Sequence, residues 1–312
     1  MKVLTGDPLS WVFDQPTAVT IGVFDGVHLG HQRVMATLVD LAAREDLVPA
    51  ALTFDPHPLE FLAPERAPKL LTDVEQRIEL LEGCGIRMVG VMAFPHIRDL
   101  PAPAFAREVL SERILARHVV VGRDFRFGRD RTGDTALLGR LGEELGFRVE
   151  TVDMVTVAHG EIVSATRIRA YVAAGDVEAA ARLLGRPFEL RGRVIRGDAR
   201  GRTLGFPTAN LHVPARMAIP ADGVYAVWAV VDDQTHPAMA NIGVRPTFGV
   251  SARTVEAHLL DFDGDLYGKV LRLRFVARLR DEKAFASVEE LIDQLEADRR
   301  RTVRVLGGRR AG

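Results

Sequence analysis

Cysteine and lysine are nearly missing from this sequence. Cys84 is the only cysteine in 312 residues, so one chain holds neither an internal disulfide nor a cysteine-based zinc cage. Four lysines (Lys2, Lys69, Lys269 and Lys283) stand among 41 basic residues, so any phosphate chemistry falls to arginine, histidine and backbone N–H groups. No run approaches the ~20 apolar residues of a membrane-spanning helix, and the N-terminus lacks the basic, long apolar and small-residue order of a signal peptide. A formal net charge of −1 gives no global field to recruit nucleic acid or an anionic membrane. These absences predict a cytoplasmic protein with no nucleic-acid or membrane partner. The chain is otherwise ordinary, 47% hydrophobic and 27% charged, and long enough for two cores.

Two rhythms divide it. In the first part, apolar runs at Val19–Phe24, Val48–Phe54, Met88–Phe94 and His118–Gly122 read as buried parallel strands. Amphipathic stretches at His31–Arg44, Asp73–Cys84 and Ala104–Leu115 separate them, and Thr72 with Glu75 offers a capping box to the second. This pattern predicts an α/β domain with a doubly wound parallel sheet, which binds ligands at the carboxyl ends of its strands. An Ala-rich helix over Val177–Leu184 ends at Gly185-Arg186-Pro187, so the domains are expected to span 1–186 and 187–312. Leu190–Ile195, Gly223–Asp232, Val255–Phe262 and Lys269–Arg280 read as antiparallel strands. In Val270–Phe275 the side chains alternate, Leu271, Leu273 and Phe275 against Arg272 and Arg274. A small closed β-barrel is expected, followed by a terminal helix over Ser287–Arg300 with Ser287 as N-cap.

The stretch Gly22–Gln32 (GVFDGVHLGHQ) sits where the first of these strands hands over to a helix. Gly22 and Gly26 let the backbone turn and approach a ligand. The helix start offers free N–H groups and a partial positive charge, suited to phosphate. His28 and His31, three apart, share one face of that turn. Both can donate to phosphate oxygens and stabilise charge building on a leaving pyrophosphate. A second element, Ser164-Ala165-Thr166-Arg167-Ile168-Arg169, follows strand-like Val155–Val163. There Ser164 can cap a helix and Arg167 adds a charge-assisted contact, although a capped, arginine-bearing helix start is commonplace.

The H-x-G-H signature after a strand resembles the nucleotidyltransferase superfamily, which attacks the α-phosphate of a nucleoside triphosphate and releases pyrophosphate. Thr53–Pro58 (TFDPHP) and Gly122–Gly128 (GRDFRFG) narrow the likeness to the N-terminal module of bacterial bifunctional riboflavin kinase and FAD synthetase enzymes. The resemblance implies that Gly22, Phe24, Asp25, Gly26, Ser164 and Arg167 meet the nucleotide, with His28, His31 and Arg167 catalytic. It also implies a flavin pocket from Pro56, His57, Asp124, Phe125 and Phe127, with Phe127 against the flavin ring; core packing is the alternative for one of the two phenylalanines. That family usually has a second serine where this chain has Ala165.

Residues 197–210 (GDARGRTLGFPTAN) form a glycine-rich loop without G-K-[ST], so it is no Walker A. On a strand, Thr208 and Asn210 point to one face. Their oxygens suit Mg²⁺ with phosphates completing the shell. This segment resembles the flavokinase module of the same family, and the likeness continues through Gly223–Val227, Asn241–Phe248, Val255–Leu260 and the terminal helix. It implies that Gly201, Gly205 and Thr208 contact ATP, that Thr208 and Asn210 hold Mg²⁺, and that Glu256 is a general base for the riboflavin hydroxyl. An unpaired carboxylate in an otherwise apolar strand is costly, which makes Glu256 conspicuous. Arg280 and Phe285 are flavin candidates by position, and His258 reads as a barrel residue. The expected function is two-step: ATP-dependent phosphorylation of riboflavin to FMN, then adenylylation of FMN to FAD. The rivals are a nucleotidyltransferase for another phosphorylated acceptor with a non-catalytic barrel, and a non-catalytic flavin or nucleotide sensor.

Overall fold

The computed structural model describes residues 1–197, 205–247 and 250–308. Gly201 lies outside the described residues. The chain falls into two compact units, Met1–Pro68 with Asp73–Ser164, and Lys69–Thr72 with Ala165–Gly312.

The first unit is built on strands β1 (Lys2–Gly6), β2 (Thr17–Ile21), β3 (Val48–Phe54), β4 (Met88–Met92), β5 (Ala116–Gly122) and β6 (Arg148–Val152). All pair in parallel, in the order β1-β4-β3-β2-β5-β6. Helices α1 (Leu29–Arg44), α2 (Pro58–Leu62), α3 (Val74–Gly83) and α4 (Thr135–Leu145) connect them. Successive strand residues feed opposite faces: Ala51 and Val120 join one core cluster, whereas Ala50, Leu52, Val119 and Val121 join the other. That alternation is why these strands read as unbroken apolar runs; they are buried on both sides. The chain moves from β2 to β3 and β4 on one side, then crosses to place β5 on the other. The switch point therefore lies between β2 and β5, the place where such sheets open a crevice at their carboxyl ends.

Several local expectations change. Asp73, not Thr72, caps α3, its Oδ1 accepting from the Gln76 N–H at 2.7 Å. Val155–Val163 is no single strand. It is a short hairpin of β7 (Thr156–Val157) and β8 (Glu161–Ile162), turned through Gly160 at φ 74°.

The second unit opens with helices α5 (Ala165–Ala174) and α6 (Val177–Leu184). Its barrel closes in the order β10-β13-β12-β11-β14-β9. The strands are β9 (Phe188–Ile195), β10 (Ala209–His212), β11 (Gly223–Val231), β12 (Gln234–Thr247), β13 (Val250–Leu259) and β14 (Val270–Arg280). Leu271, Leu273 and Phe275 are fully buried, each such side chain stabilising the fold by about 1.5–3 kcal/mol. Helix α7 (Val288–Gly307) follows, and its N-cap Ser287 accepts from the Glu290 N–H at 3.2 Å. Among the described residues no helix is long and apolar enough to cross a membrane.

Candidate active sites

In the first unit the loop from β2 to α1 is tightly wound. Phe24, Gly26 and Val27 take φ of 51°, 78° and 37°, a left-handed run that non-glycine residues hold only when their surroundings impose it. The surroundings do so here. The Val27 N–H donates to the Phe24 carbonyl at 3.0 Å, Gln32 Nε2 donates to the Val27 carbonyl at 2.9 Å, and Thr53 Oγ1 donates to the Val23 carbonyl at 2.9 Å. The side chain of Phe24 belongs to the core, and Asp25 is buried.

This loop ends at His28, the N-cap of α1, whose Nδ1 accepts from the His31 N–H at 3.3 Å. An accepting Nδ1 puts the proton of the neutral ring on Nε2, which makes Nε2 a donor. The two imidazoles stack with centroids 3.6 Å apart at 16°, and Phe24 meets His31 edge-on at 5.2 Å. Gly30 explains itself sterically. A Cβ there would sit 3.1 Å from the His28 ring and 4.0 Å from the Val163 carbonyl oxygen. The H-x-G-H glycine thus makes room for the histidine ring and for the approach of the chain just before Ser164. Ser164 closes the first unit, while Arg167 is exposed on α5 in the second.

Beside this loop, β3 runs into a cis Asp55–Pro56 bond. His57 is buried and caps α2 in a box: its Nδ1 accepts from the Leu59 N–H at 3.1 Å, and its own N–H donates to Glu60 Oε1 at 3.1 Å. Sequence reasoning missed Arg77 on α3. It is 1% exposed, and its Nη1 donates to Thr53 Oγ1 at 3.1 Å and to the Phe54 carbonyl at 2.8 Å. Since Thr53 in turn holds Val23, one buried guanidinium braces both the loop from β2 to α1 and the end of β3 that leads into the P-H-P turn. Phe61 on α2 was missed as well. It is 43% exposed, faces Phe94 at 6.4 Å and carries the Arg98 guanidinium 5.3 Å from its centroid.

After β5, Asp124 is exposed and the two phenylalanines divide their roles. Phe127 is 6% exposed and packs on Phe105 at 5.9 Å within the core. Phe125 is half-buried and stacks on Phe127 at 5.7 Å and 8°. Of the two, Phe125 keeps the more open ring, and the expectation that Phe127 lies against the flavin meets a ring already enclosed by protein.

The barrel site comes from register. Asn210 on β10 pairs with Glu256 on β13, Glu256 with Asn241 on β12, Asn241 with Val224 on β11, and Val224 with Arg280 on β14. Directly opposed residues share a face, so five strands contribute one row across the outer wall. Thr208 Oγ1 donates to Glu256 Oε2 at 3.1 Å. Asn210's amide lies where any side chain on Gly197 would be. Glu256, Asn241, Val224 and Arg280 of this row line a cavity of about 290 Å³, together with Met239, Phe285 and, from α7, Leu291 and Leu295. Arg280 lies 5.7 Å from the Phe285 ring centroid. A second cavity, about 510 Å³, opens past Pro207 and Thr208 towards Phe262 and Tyr267. Thr208 lines both. His258 shares the Glu256 face, and its Nδ1 is 2.8 Å from the Pro207 carbonyl. A carbonyl only accepts, so Nδ1 carries the proton. Burial holds the His258 pKa below the ordinary histidine value, and the Arg299 charge adds to this against the opposing pull of the Pro207 bond.

Residues 12–167 match the FAD synthetase family and residues 184–306 the riboflavin kinase family. A bifunctional riboflavin kinase/FMN adenylyltransferase of Pseudomonas fluorescens is 42% identical over 89% of each chain, and its namesake in Escherichia coli K12 is 37% identical over 96% of each. A crystal structure described as a macrolide-efflux protein from Streptococcus pneumoniae superposes with a TM-score of 0.88 at 31% identity, covering 97% of this chain and 99% of that one. With both halves matched in order and two cavities meeting at Thr208, the chain belongs to the bifunctional riboflavin kinase/FMN adenylyltransferase family.

Proposed function

We propose that the barrel phosphorylates riboflavin and that the α/β unit adenylylates the resulting FMN, with the functional division near residue 186. The observation that carries this reading is Thr208, common to two cavities and hydrogen-bonded to Glu256. A kinase needs its acceptor hydroxyl and its γ-phosphate to meet beside a base. The 290 Å³ cavity, with Phe285, Leu291 and Leu295 on its walls, suits the flat flavin ring. Its polar row suits the ribityl chain. ATP then occupies the larger cavity against Tyr267 and Phe262.

In that arrangement Glu256 takes the proton of the primary hydroxyl as its oxygen attacks the γ-phosphorus. The bond to the bridging oxygen breaks and ADP leaves. No group of three or more His, Cys, Asp or Glu among the described residues could cage a metal. The donor set instead offers a hydroxyl, Thr208 Oγ1, and an amide oxygen, Asn210 Oδ1. That fits Mg²⁺, which favours oxygen ligands and shares its shell with substrate phosphates and water. Bound there, Mg²⁺ would neutralise charge on the transferring phosphoryl group. Gly205 lies three residues before Thr208 in the loop that leads into β10, which places it near the same nucleotide.

For the second step, the FMN phosphate is itself the nucleophile and is already ionised near neutral pH. Its oxygen attacks the α-phosphorus of ATP and pyrophosphate departs. His28 donates from Nε2 and His31 stacks behind it. Arg167 and Ser164 supply the second contact, and the backbone of Gly22, Phe24, Asp25 and Gly26 shapes the phosphate seat. The flavin ring rests against Phe125 and Phe61, next to Pro56 and His57, with Asp124 accepting from its polar edge. A cytoplasmic setting goes with a reaction that spends ATP twice.

Incubation with riboflavin, ATP and Mg²⁺, with flavins resolved by chromatography, tests the reading. FMN followed by FAD is the expected result. FMN alone removes the adenylyltransferase assignment, and absence of both products removes the whole proposal.

A further inference from the structure

Arg280 ends the register row that starts at Asn210, and its guanidinium is firmly held. Nε donates to Asp298 Oδ2 at 2.9 Å and Nη2 lies 2.8 Å from the same oxygen. Nη1 donates to the Asp281 carbonyl at 2.9 Å. Asp298 is 3% exposed and sits in the third quarter of α7. Its other oxygen accepts from Gln294 Nε2 at 2.9 Å. Arg280 and Phe285 line the 290 Å³ cavity, whereas Asp298 does not. A carboxylate buried this deeply is costly unless its partners are fixed around it. Gln294 fixes one carboxylate oxygen while the other holds the Arg280 guanidinium still, beside the ring of Phe285.

We propose that Asp298 is a positioning residue for riboflavin binding. It neutralises Arg280 and keeps the guanidinium from swinging into the cavity, so that a neutral flat ring meets a shaped wall. Arg280 in place also braces Phe285 from one side. The inference rests on the reading of this cavity as the riboflavin site.

The test uses the full chain and compares Asp298→Asn, Arg280→Ala and the double variant. Asp298→Asn keeps the volume and one accepting oxygen but removes the charge that pins Arg280. We expect its riboflavin KM to rise at least about tenfold, within what a displacement of roughly 1 Å costs. The kcat, the KM for ATP and the conversion of supplied FMN to FAD should stay within about twofold, since a structural defect would impair all of them together. If Asp298 acts through Arg280, the double variant binds riboflavin no worse than Arg280→Ala alone. An unchanged riboflavin KM in Asp298→Asn overturns the proposal. So does an additive loss in the double variant, or a parallel fall of both activities with the melting temperature. If Asp298→Asn does not fold, Gln294→Met answers the same question through the other carboxylate oxygen: a several-fold rise in riboflavin KM supports the assignment and no rise rejects it. Wild-type protein that makes no FMN from riboflavin rejects the cavity assignment instead, and the two failures are told apart by that control.

Discussion

Glu256 stands directly between Asn210 and Asn241 across three neighbouring strands. The carboxylate also accepts the Thr208 hydroxyl at 3.1 Å. Glu256 also lines the 290 Å³ cavity, so a substrate hydroxyl lying there could pass it a proton. Glu256→Gln keeps the hydrogen-bonding shape and removes the basicity. Riboflavin phosphorylation should fall by about 10²–10⁴-fold, the usual worth of general base help. FMN supplied from outside should still become FAD at the wild-type rate. Separate assays of the two steps check this, and equal loss of both would remove the division of labour between the units.

Asn210→Ala takes away an amide oxygen from the pair that would hold Mg²⁺. Kinase activity should drop by at least about a hundredfold, in keeping with the positioning and charge stabilisation a phosphoryl-transfer metal provides. The Mg²⁺ concentration for half-maximal rate should rise at the same time. Titrating Mg²⁺ at fixed ATP reads both effects. A lower rate with an unshifted Mg²⁺ dependence would take Asn210 out of the metal role.

Much of this architecture was legible in the sequence, and the remainder was hidden for physical reasons. The central strands β2 to β5 announce themselves because both faces are buried, which leaves unbroken apolar runs. The edge strands β1 and β6 carry polar, largely exposed residues, so no period of two stands out, and β10 is four residues long. His28 and His31 were readable because a helix start brings neighbours in sequence together. The row from Asn210 to Arg280 was not, since barrel closure alone brings residues 210, 224, 241, 256 and 280 into one line. Arg77 and Asp298 looked like ordinary helix charges, and only burial reveals their bracing work. In Phe125 and Phe127 the spacing marked an aromatic pair without saying which ring faces inwards.

His28 is both a cap and a candidate donor, and two substitutions separate those roles. His28→Ala loses both, costing about 1 kcal/mol of stability for the cap and about 10²–10³-fold in adenylylation for the donor. His28→Asn restores a good cap but has no ring to reach the phosphates. It should melt like the wild type and remain as slow as His28→Ala in making FAD, with FMN production intact. Recovery of FAD synthesis in His28→Asn would mean that the ring matters only as a cap.

The division between the two phenylalanines predicts opposite outcomes. Phe127→Ala opens a hole in the core and should cost about 3–5 kcal/mol, visible in thermal or denaturant unfolding. Phe125→Ala removes a half-exposed ring and should leave stability within about 1 kcal/mol, because little buried volume is lost. Its effect should appear as a raised KM for FMN in the adenylylation assay. A Phe125→Ala variant with unaltered FMN affinity would move the flavin off this loop.

His258 gives the barrel a definite pH dependence. Burial, its largest influence, holds the pKa below the ordinary histidine value, so the folded barrel prefers the neutral ring that donates to Pro207. The unfolded chain binds the proton more readily. Stability therefore rises with pH through the window between the depressed folded value and the usual one of about 6.5, and is lost as pH falls through it. His258→Asn keeps a donor for the Pro207 carbonyl without a titrating ring. Its unfolding midpoint should fall less than that of the wild type as pH is lowered across that window. Denaturant unfolding of both proteins at several pH values measures the difference, and parallel curves would show that His258 does not govern the acid limb.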